Sequence, residues 1–198
     1  MINEPMTLAT DYLLALVTGG AGVLTLSLAG RQNSRRCWAV AFLALALGAA
    51  LGGTYHGFGI ELLWRPTVMA VGLAAAAMLA GSAFATTAGR VRSALLGLAA
   101  GKLLLFWACV WRDDRFIWVV ADTGIAFVLV GLLHALRLRQ AGSPAIVTGV
   151  ALSIAAGLVQ ASGIDLHPQF NHNDLYHVVQ AVAIVAYYRG VRALTDRR

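Results

Sequence analysis

The chain has 198 residues, 59% of them hydrophobic and only 12% charged, a balance that excludes a soluble domain of this length. A formal net charge of +6 would suit nucleic acid, but the basic residues stand in short clusters between apolar runs, which is the pattern of membrane topology. No nucleic-acid partner is expected.

The first five residues, Met1-Ile2-Asn3-Glu4-Pro5, carry no basic segment, so the first apolar run reads as a retained helix rather than a leader. Runs of roughly 20 apolar residues, the length a helix needs to cross the hydrocarbon core, recur at about 8–30, 37–57, 66–87, 92–111, 116–137, 143–163 and 172–192. The connections are short, so consecutive helices are expected to be antiparallel neighbours. The fold class that follows is an all-α integral membrane protein, a compact seven-transmembrane-helix bundle forming one domain over 1–198. Cys37 and Cys109 fall near opposite faces of it and are not expected to pair.

Charge by side gives an orientation. Arg31, Arg35, Arg36, Arg90, Arg92, Arg137, Arg139, Arg189, Arg192, Arg197 and Arg198 gather on one face, against Arg65, Arg112 and Arg115 on the other. The positive-inside rule then puts the N-terminus outside and the C-terminus in the cytoplasm, as in a multi-pass protein of a bacterial inner membrane. Trp64, Trp107, Trp111 and Trp118 fall at outer helix ends, where an aromatic belt is expected. The many glycines and alanines read as packing positions that let helices approach closely.

Ionisable side chains inside a bilayer cost at least ~2.5 kcal/mol each and are candidates for function. Asp11, His56, Asp122, Gln160 and the group His172, Asn173, Asp174, His177 and Gln180 all fall in the outer halves of their helices. The inner halves look almost free of buried polar groups. Asp11 reads either as an interfacial charge near a helix start or as a site residue. Lys102, the only lysine, and Asp122 suit a structural ion pair between adjacent helices. His134 reads as interfacial, His167 as a solvated loop residue, and Gln160 as a possible cap on a neighbouring backbone group.

His56 follows Gly48 and Gly52 at intervals of four, so the three are expected to share a face on which another helix presses close to an inward imidazole. Asn173, His177 and Gln180 form a polar stripe on the seventh helix, with Asp174 three residues before His177. His172 stands about 140° from His177 around a regular helix, so joint action needs His172 in the non-helical approach. Three histidines at one depth suit Zn2+, which commonly takes three protein ligands and keeps a position for water. Here they would be His56, His172 and His177, with Asp174 or Glu61 handling the proton. Haem ligation and a metal-free polar site or proton relay remain open on the same residues.

Seven helices with a histidine closing the second and a histidine motif opening the seventh resemble the CREST superfamily of membrane hydrolases, which includes alkaline ceramidases and adiponectin-type receptors. The resemblance spans the bundle and rests on His56 and His177. Gly52 stands where that family has serine, with Thr54 near it. Asn173 stands at its first helix-7 histidine, and Thr67 about where its helix-3 aspartate falls. The resemblance implies a zinc-dependent intramembrane hydrolase of a lipid amide or ester. Asp11, Thr54, Lys102, Asp122, Gln160, Asn173 and Gln180 would then line or support the pocket. The alternative is a non-enzymatic membrane protein that binds a lipid or small molecule in an outer-leaflet polar pocket without metal.

Overall fold

A computed structural model describes residues 2–198. It contains seven α-helices among the described residues, α1 (Pro5–Ser27), α2 (Asn33–Phe58), α3 (Trp64–Thr86), α4 (Gly89–Arg112), α5 (Ile117–Ala135), α6 (Ser143–Ser162) and α7 (His172–Val191). All seven expected runs are helical. Their starts follow local chemistry: Pro5 occupies the first turn of α1, where a missing N–H costs nothing. Gly59 ends α2 at φ +65°, its N–H bonded to Tyr55 O. A reciprocal cap between Asn171 and Asp174 opens α7. α2 and α4 begin about a turn earlier than hydropathy marks, which carries Arg35, Arg36 and Arg90 into helix. Arginine stems can lie along an apolar surface while the head reaches water, so they tolerate such positions.

Six helices, all but α7, are long and apolar enough to cross a membrane. Their outward faces bear large apolar side chains, including Leu16 at 75% exposure and Leu158 at 67%. A surface of this kind suits lipid, not water, and the chain is a multi-pass helical membrane bundle.

The helices do not all pack in chain order. α1, α2, α3, α5, α6 and α7 form a ring closed by contact of α1 with α7, and α4 lies outside it against α3. Only Ala99, Phe106 and Val110 of α4 are buried. Phe106 seats over Gly72 of α3, where an added Cβ would lie 2.3 Å from the ring. The expected antiparallel neighbourhood of α4 and α5 is therefore slight, because α5 returns to pack on α3.

At the arginine-rich end the ring is filled by aromatic side chains. Trp38 stands with its ring centroid 5.7 Å from Phe42 and 5.3 Å from Tyr187 of α7. This half is not free of polar groups, contrary to expectation: Thr18, Ser34, Ser82, Thr86, His134, Ser143 and Ser153 are all buried there. Several hydroxyls are satisfied within their own helix, as Thr18 on Leu14 O and Thr86 on Ser82 O, so they carry little desolvation cost. His134 is fully buried, not interfacial, with Nδ1 2.9 Å from Ser143 Oγ.

Beyond α7 the chain straps this end of the bundle. The Asp196 carboxylate accepts from the N–H groups of Asn33 and Ser34, capping α2 from a distant segment. Arg197 N–H donates to Phe84 O at 3.0 Å, and its guanidinium to Thr86 O. Cys37 and Cys109 are both free.

Candidate functional site

At the opposite end, α1 and α7 meet through one connected polar cluster. Asp11 and His177 are both buried, with Asp11 Oδ1 3.2 Å from His177 Nε2. The other ring nitrogen, Nδ1, lies 3.1 Å from Thr10 Oγ1. That hydroxyl is also 3.3 Å from Asp174 Oδ1, and 3.0 and 3.2 Å from the carbonyls of Met6 and Thr7. Asp174 is fully buried, and its second oxygen accepts the Asn171 N–H at 2.9 Å.

Local sequence explains each position. Asp174 lies in the first turn of α7, where free N–H groups and the helix dipole favour a carboxylate. The Asn171 side chain accepts from the N–H groups of Asn173 and Asp174, which fixes the turn that carries it. Asp11 is placed by Gly53 of α2. A Cβ there would stand 2.8 Å from Asp11 Cβ and 3.1 Å from the Tyr12 ring, so only glycine lets α1 come this close. A Cβ added at Gly52 would stand near the carboxylate itself, 3.8 Å from Oδ2.

Thr10 has one proton and several acceptors within reach. When His177 carries a single proton on Nε2, the ring donates to Asp11 and Nδ1 accepts from Thr10. When both ring nitrogens are protonated, Nδ1–H donates to Thr10 and the hydroxyl turns to Asp174. Either state satisfies the imidazole, so the cluster links two carboxylates through one histidine and one rotating hydroxyl. The chemistry it offers is proton sharing and hydrogen bonding at a fixed point of the α1–α7 seam.

The other expected site residues are distributed differently. His56 is half-buried at the end of α2, with Nδ1 3.4 Å from the Glu4 carboxylate. Gly48 faces Thr67 and Val71 of α3, and Gly52 faces Thr67 and Asp11. Gly48 and Gly52 thus share the face that meets Thr67, as expected, while the imidazole one turn further meets the segment before α1. His172 is the first residue of α7 and not part of its non-helical approach. Its ring lies 2.8 Å from Asp165, which also accepts its N–H. These two hydrogen bonds, the ring's first, hold the exposed Asp165 carboxyl below the usual carboxylate range.

Lys102 and Asp122 form the expected ion pair, Nζ to Oδ1 2.5 Å, between α4 and α5. It lies away from the Asp11 cluster, since α5 touches neither α1 nor α7. Gln160 donates to Asn173 Oδ1 at 3.2 Å, so it meets a side-chain amide and not a backbone group. Thr54 bonds Tyr12 OH at 2.9 Å. Gln180 is buried on α7, while Glu61 is exposed in the 3-10 turn before α3. His167 is exposed in its loop, as expected, and accepts from Gln169 N–H.

Zinc needs three ligand atoms converging on one point. His56, His172 and His177 each face a different carboxylate, Glu4, Asp165 and Asp11. Among the described residues no three His, Cys, Asp or Glu side chains are grouped closely enough to hold a metal ion. In this arrangement the three histidines do not fit a joint zinc site.

Thr10 and Asn171 are the members of the cluster that sequence reading passed over. A signal for Thr10 exists: the buried positions of α1, Thr7, Thr10, Asp11, Leu14, Thr18, Ala21, Gly22 and Thr25, recur with helical period, so its threonines mark the inward face. For Asn171 the signal is the capping-box spacing to Asp174.

Comparison with curated proteins finds no match, and neither does comparison with solved structures. Residues 6–196 match DUF6962, a family of unknown function, and by that match over nearly its whole length the chain belongs to this family.

Proposed function

We propose that the chain binds the acyl chain of a membrane lipid, or a similar amphiphile, along the α1–α7 seam, with the Asp11–His177 cluster as its polar anchor and without a metal. The observation that carries this reading is continuity along one seam. An apolar groove of about 250 Å3 runs between Leu16, Val17, Gly20, Ala21 and Leu24 of α1 and Ile184, Val185 and Tyr188 of α7. It starts roughly 7 Å along α1 from Asp11 and covers about 12 Å, at 1.5 Å per residue. From Asp11 to Leu24 is about 20 Å along α1, more than the roughly 15 Å of hydrocarbon in one leaflet, so a long acyl chain with its polar end at the cluster reaches past the midplane into the groove. At Gly20 an added Cβ would meet nothing within 4 Å, which leaves the groove open there.

The excess of arginine at the other end of the bundle supports an N-terminus outside and a C-terminus in the cytoplasm, with the cluster in the outer leaflet. His177 supports the metal-free form of the reading, since both its ring nitrogens already have partners within the protein.

The test is mass spectrometry of the lipid and metal content of the purified protein and of Gly20→Leu, which fills the groove. The expected result is a bound amphiphile in the native chain and its loss in Gly20→Leu, with no stoichiometric zinc in either. Equal amphiphile content in both proteins would overturn the reading. Stoichiometric zinc, with cleavage of a lipid amide or ester that His56→Ala abolishes, would replace it with the hydrolase that the CREST resemblance implies.

A further inference from the structure

A cleft lies at the end opposite the Asp11 cluster. It has a volume of about 710 Å3 and is walled by the α5–α6 connection on one side and the C-terminal strap on the other, with Arg137, Arg139 and Arg197 in its lining. The one acid in that lining is Asp196. Its carboxylate is occupied by the Asn33 and Ser34 N–H groups of α2. The helix ends around the cleft also fail to balance the arginines. A helix C-terminus carries at most about half a negative charge. The last carbonyls of α3 are taken as well: Phe84 O by Arg197 N–H, Ala85 O by Gln140 Nε2 and Thr86 O by the Arg197 guanidinium. Arg137 and Arg139 are exposed and take part in none of the ion pairs among the described residues. The cleft therefore holds uncompensated positive charge.

Leucines alternate with those arginines. Leu136 is 72% exposed and Leu138 53% exposed, on either side of Arg137 in the run Leu136-Arg137-Leu138-Arg139. Alternation of this kind suits the boundary between hydrocarbon and phosphate, where leucine enters the acyl region and arginine meets the head groups. A free anion in water would gain nothing from the leucines.

We propose that this cleft is a binding site for the phosphate head group of an anionic phospholipid, held by Arg137 and Arg139 while Leu136 and Leu138 flank its acyl chains. Arg197 is tied to the α3 carbonyls and shapes the wall. Arginine suits the role because its planar guanidinium can donate two parallel hydrogen bonds to one phosphate. The site is separate from the α1–α7 groove and does not depend on what that groove holds.

The experiment is native mass spectrometry of the full chain in detergent micelles titrated with phosphatidylglycerol or phosphatidylcholine, with inorganic phosphate as a third arm. The native protein is expected to retain phosphatidylglycerol at least tenfold better than phosphatidylcholine. In R137Q/R139Q that preference falls by roughly 30-fold or to parity, the combined effect expected of two interfacial arginines. R137K/R139K keeps much of it, and R112Q, a charge loss at the other end of the bundle, leaves it unchanged. All these positions are exposed, and unchanged thermal unfolding in phosphatidylcholine confirms that the variants are folded. The proposal is overturned if the native protein shows no preference, if R137Q/R139Q keeps it, or if R112Q loses it equally. Displacement of the lipid by millimolar inorganic phosphate would reassign the cleft to a soluble anion.

Discussion

Asp11 Oδ1 stands 3.2 Å from His177 Nε2, and this contact ties the first helix of the ring to the last. The side chains are 7% and 10% exposed, so neither finds water if the other is removed. Truncating one member of such a buried hydrogen-bonded pair typically costs ~1–3 kcal/mol, chiefly by leaving the other unsatisfied. Asp11→Ala and His177→Ala are each expected to destabilise by that order, while the double variant costs less than their sum. A coupling of at least about 1 kcal/mol is expected from a cycle of denaturant unfolding in detergent, the range for residues in contact. Additive costs would show that the pair is not an energetic unit.

Gly53 sets the distance at which that pair forms. The Cβ of Gly53→Ala would fall 2.8 Å from Asp11 Cβ, with backbone helices on both sides and no flexible end to yield. Overpacking of this kind costs about 1–3 kcal/mol. Gly20→Ala is the control, because its new Cβ meets nothing within 4 Å. Alanine is favoured over glycine inside a helix by ~1 kcal/mol, so Gly20→Ala is expected to be neutral or stabilising. Thermal unfolding of the two variants side by side measures the contrast.

How much of this could be read beforehand depends on how local the cause is. The seven helices follow from runs of apolar residues, and Lys102 with Asp122 follows from the need of each for a partner in hydrocarbon. The start of α7 is written in Asn171 and Asp174. The partner of His56 was not legible, because Glu4 reaches it only once α1 docks on α2. Nor was the exclusion of α4 from the ring, which depends on α5 packing on α3 rather than on α4. Thr10 escaped notice because a threonine in a membrane helix usually bonds its own backbone, as Thr18 does. Its role appears only when α7 brings His177 and Asp174 to the same hydroxyl.

The cap on α2 is equally non-local. Asp196 satisfies two of the free N–H groups at the start of that helix, 2.7 Å from Asn33 N and 2.8 Å from Ser34 N. No side chain of the α2 N-cap, Gln32, does so. Asp196→Ala is expected to cost about 1 kcal/mol, the usual value of a helix cap. Asp196→Asn keeps one acceptor oxygen and is expected to cost less. Unfolding midpoints give the order, and faster amide hydrogen exchange at Asn33 and Ser34 in Asp196→Ala locates the loss.

The loop before α7 carries a pH dependence whose sign can be worked out. Asp165 accepts hydrogen bonds from the His172 ring and the His172 N–H, and its carboxyl is held below the ordinary value by them. A carboxyl depressed in the folded state stabilises above its unfolded pKa, about 3.9, and that contribution is lost as pH falls through the lower folded value. The exchange protection factor of the His172 amide is therefore expected to be high at pH 5 and to drop in the acid range below pH ~4. Asp165→Asn keeps an acceptor for the N–H but cannot titrate there, so its protection should be lower at pH 5 and flat with pH. A native protection factor equally flat across this range would mean that the Asp165–His172 contact does not hold the start of α7.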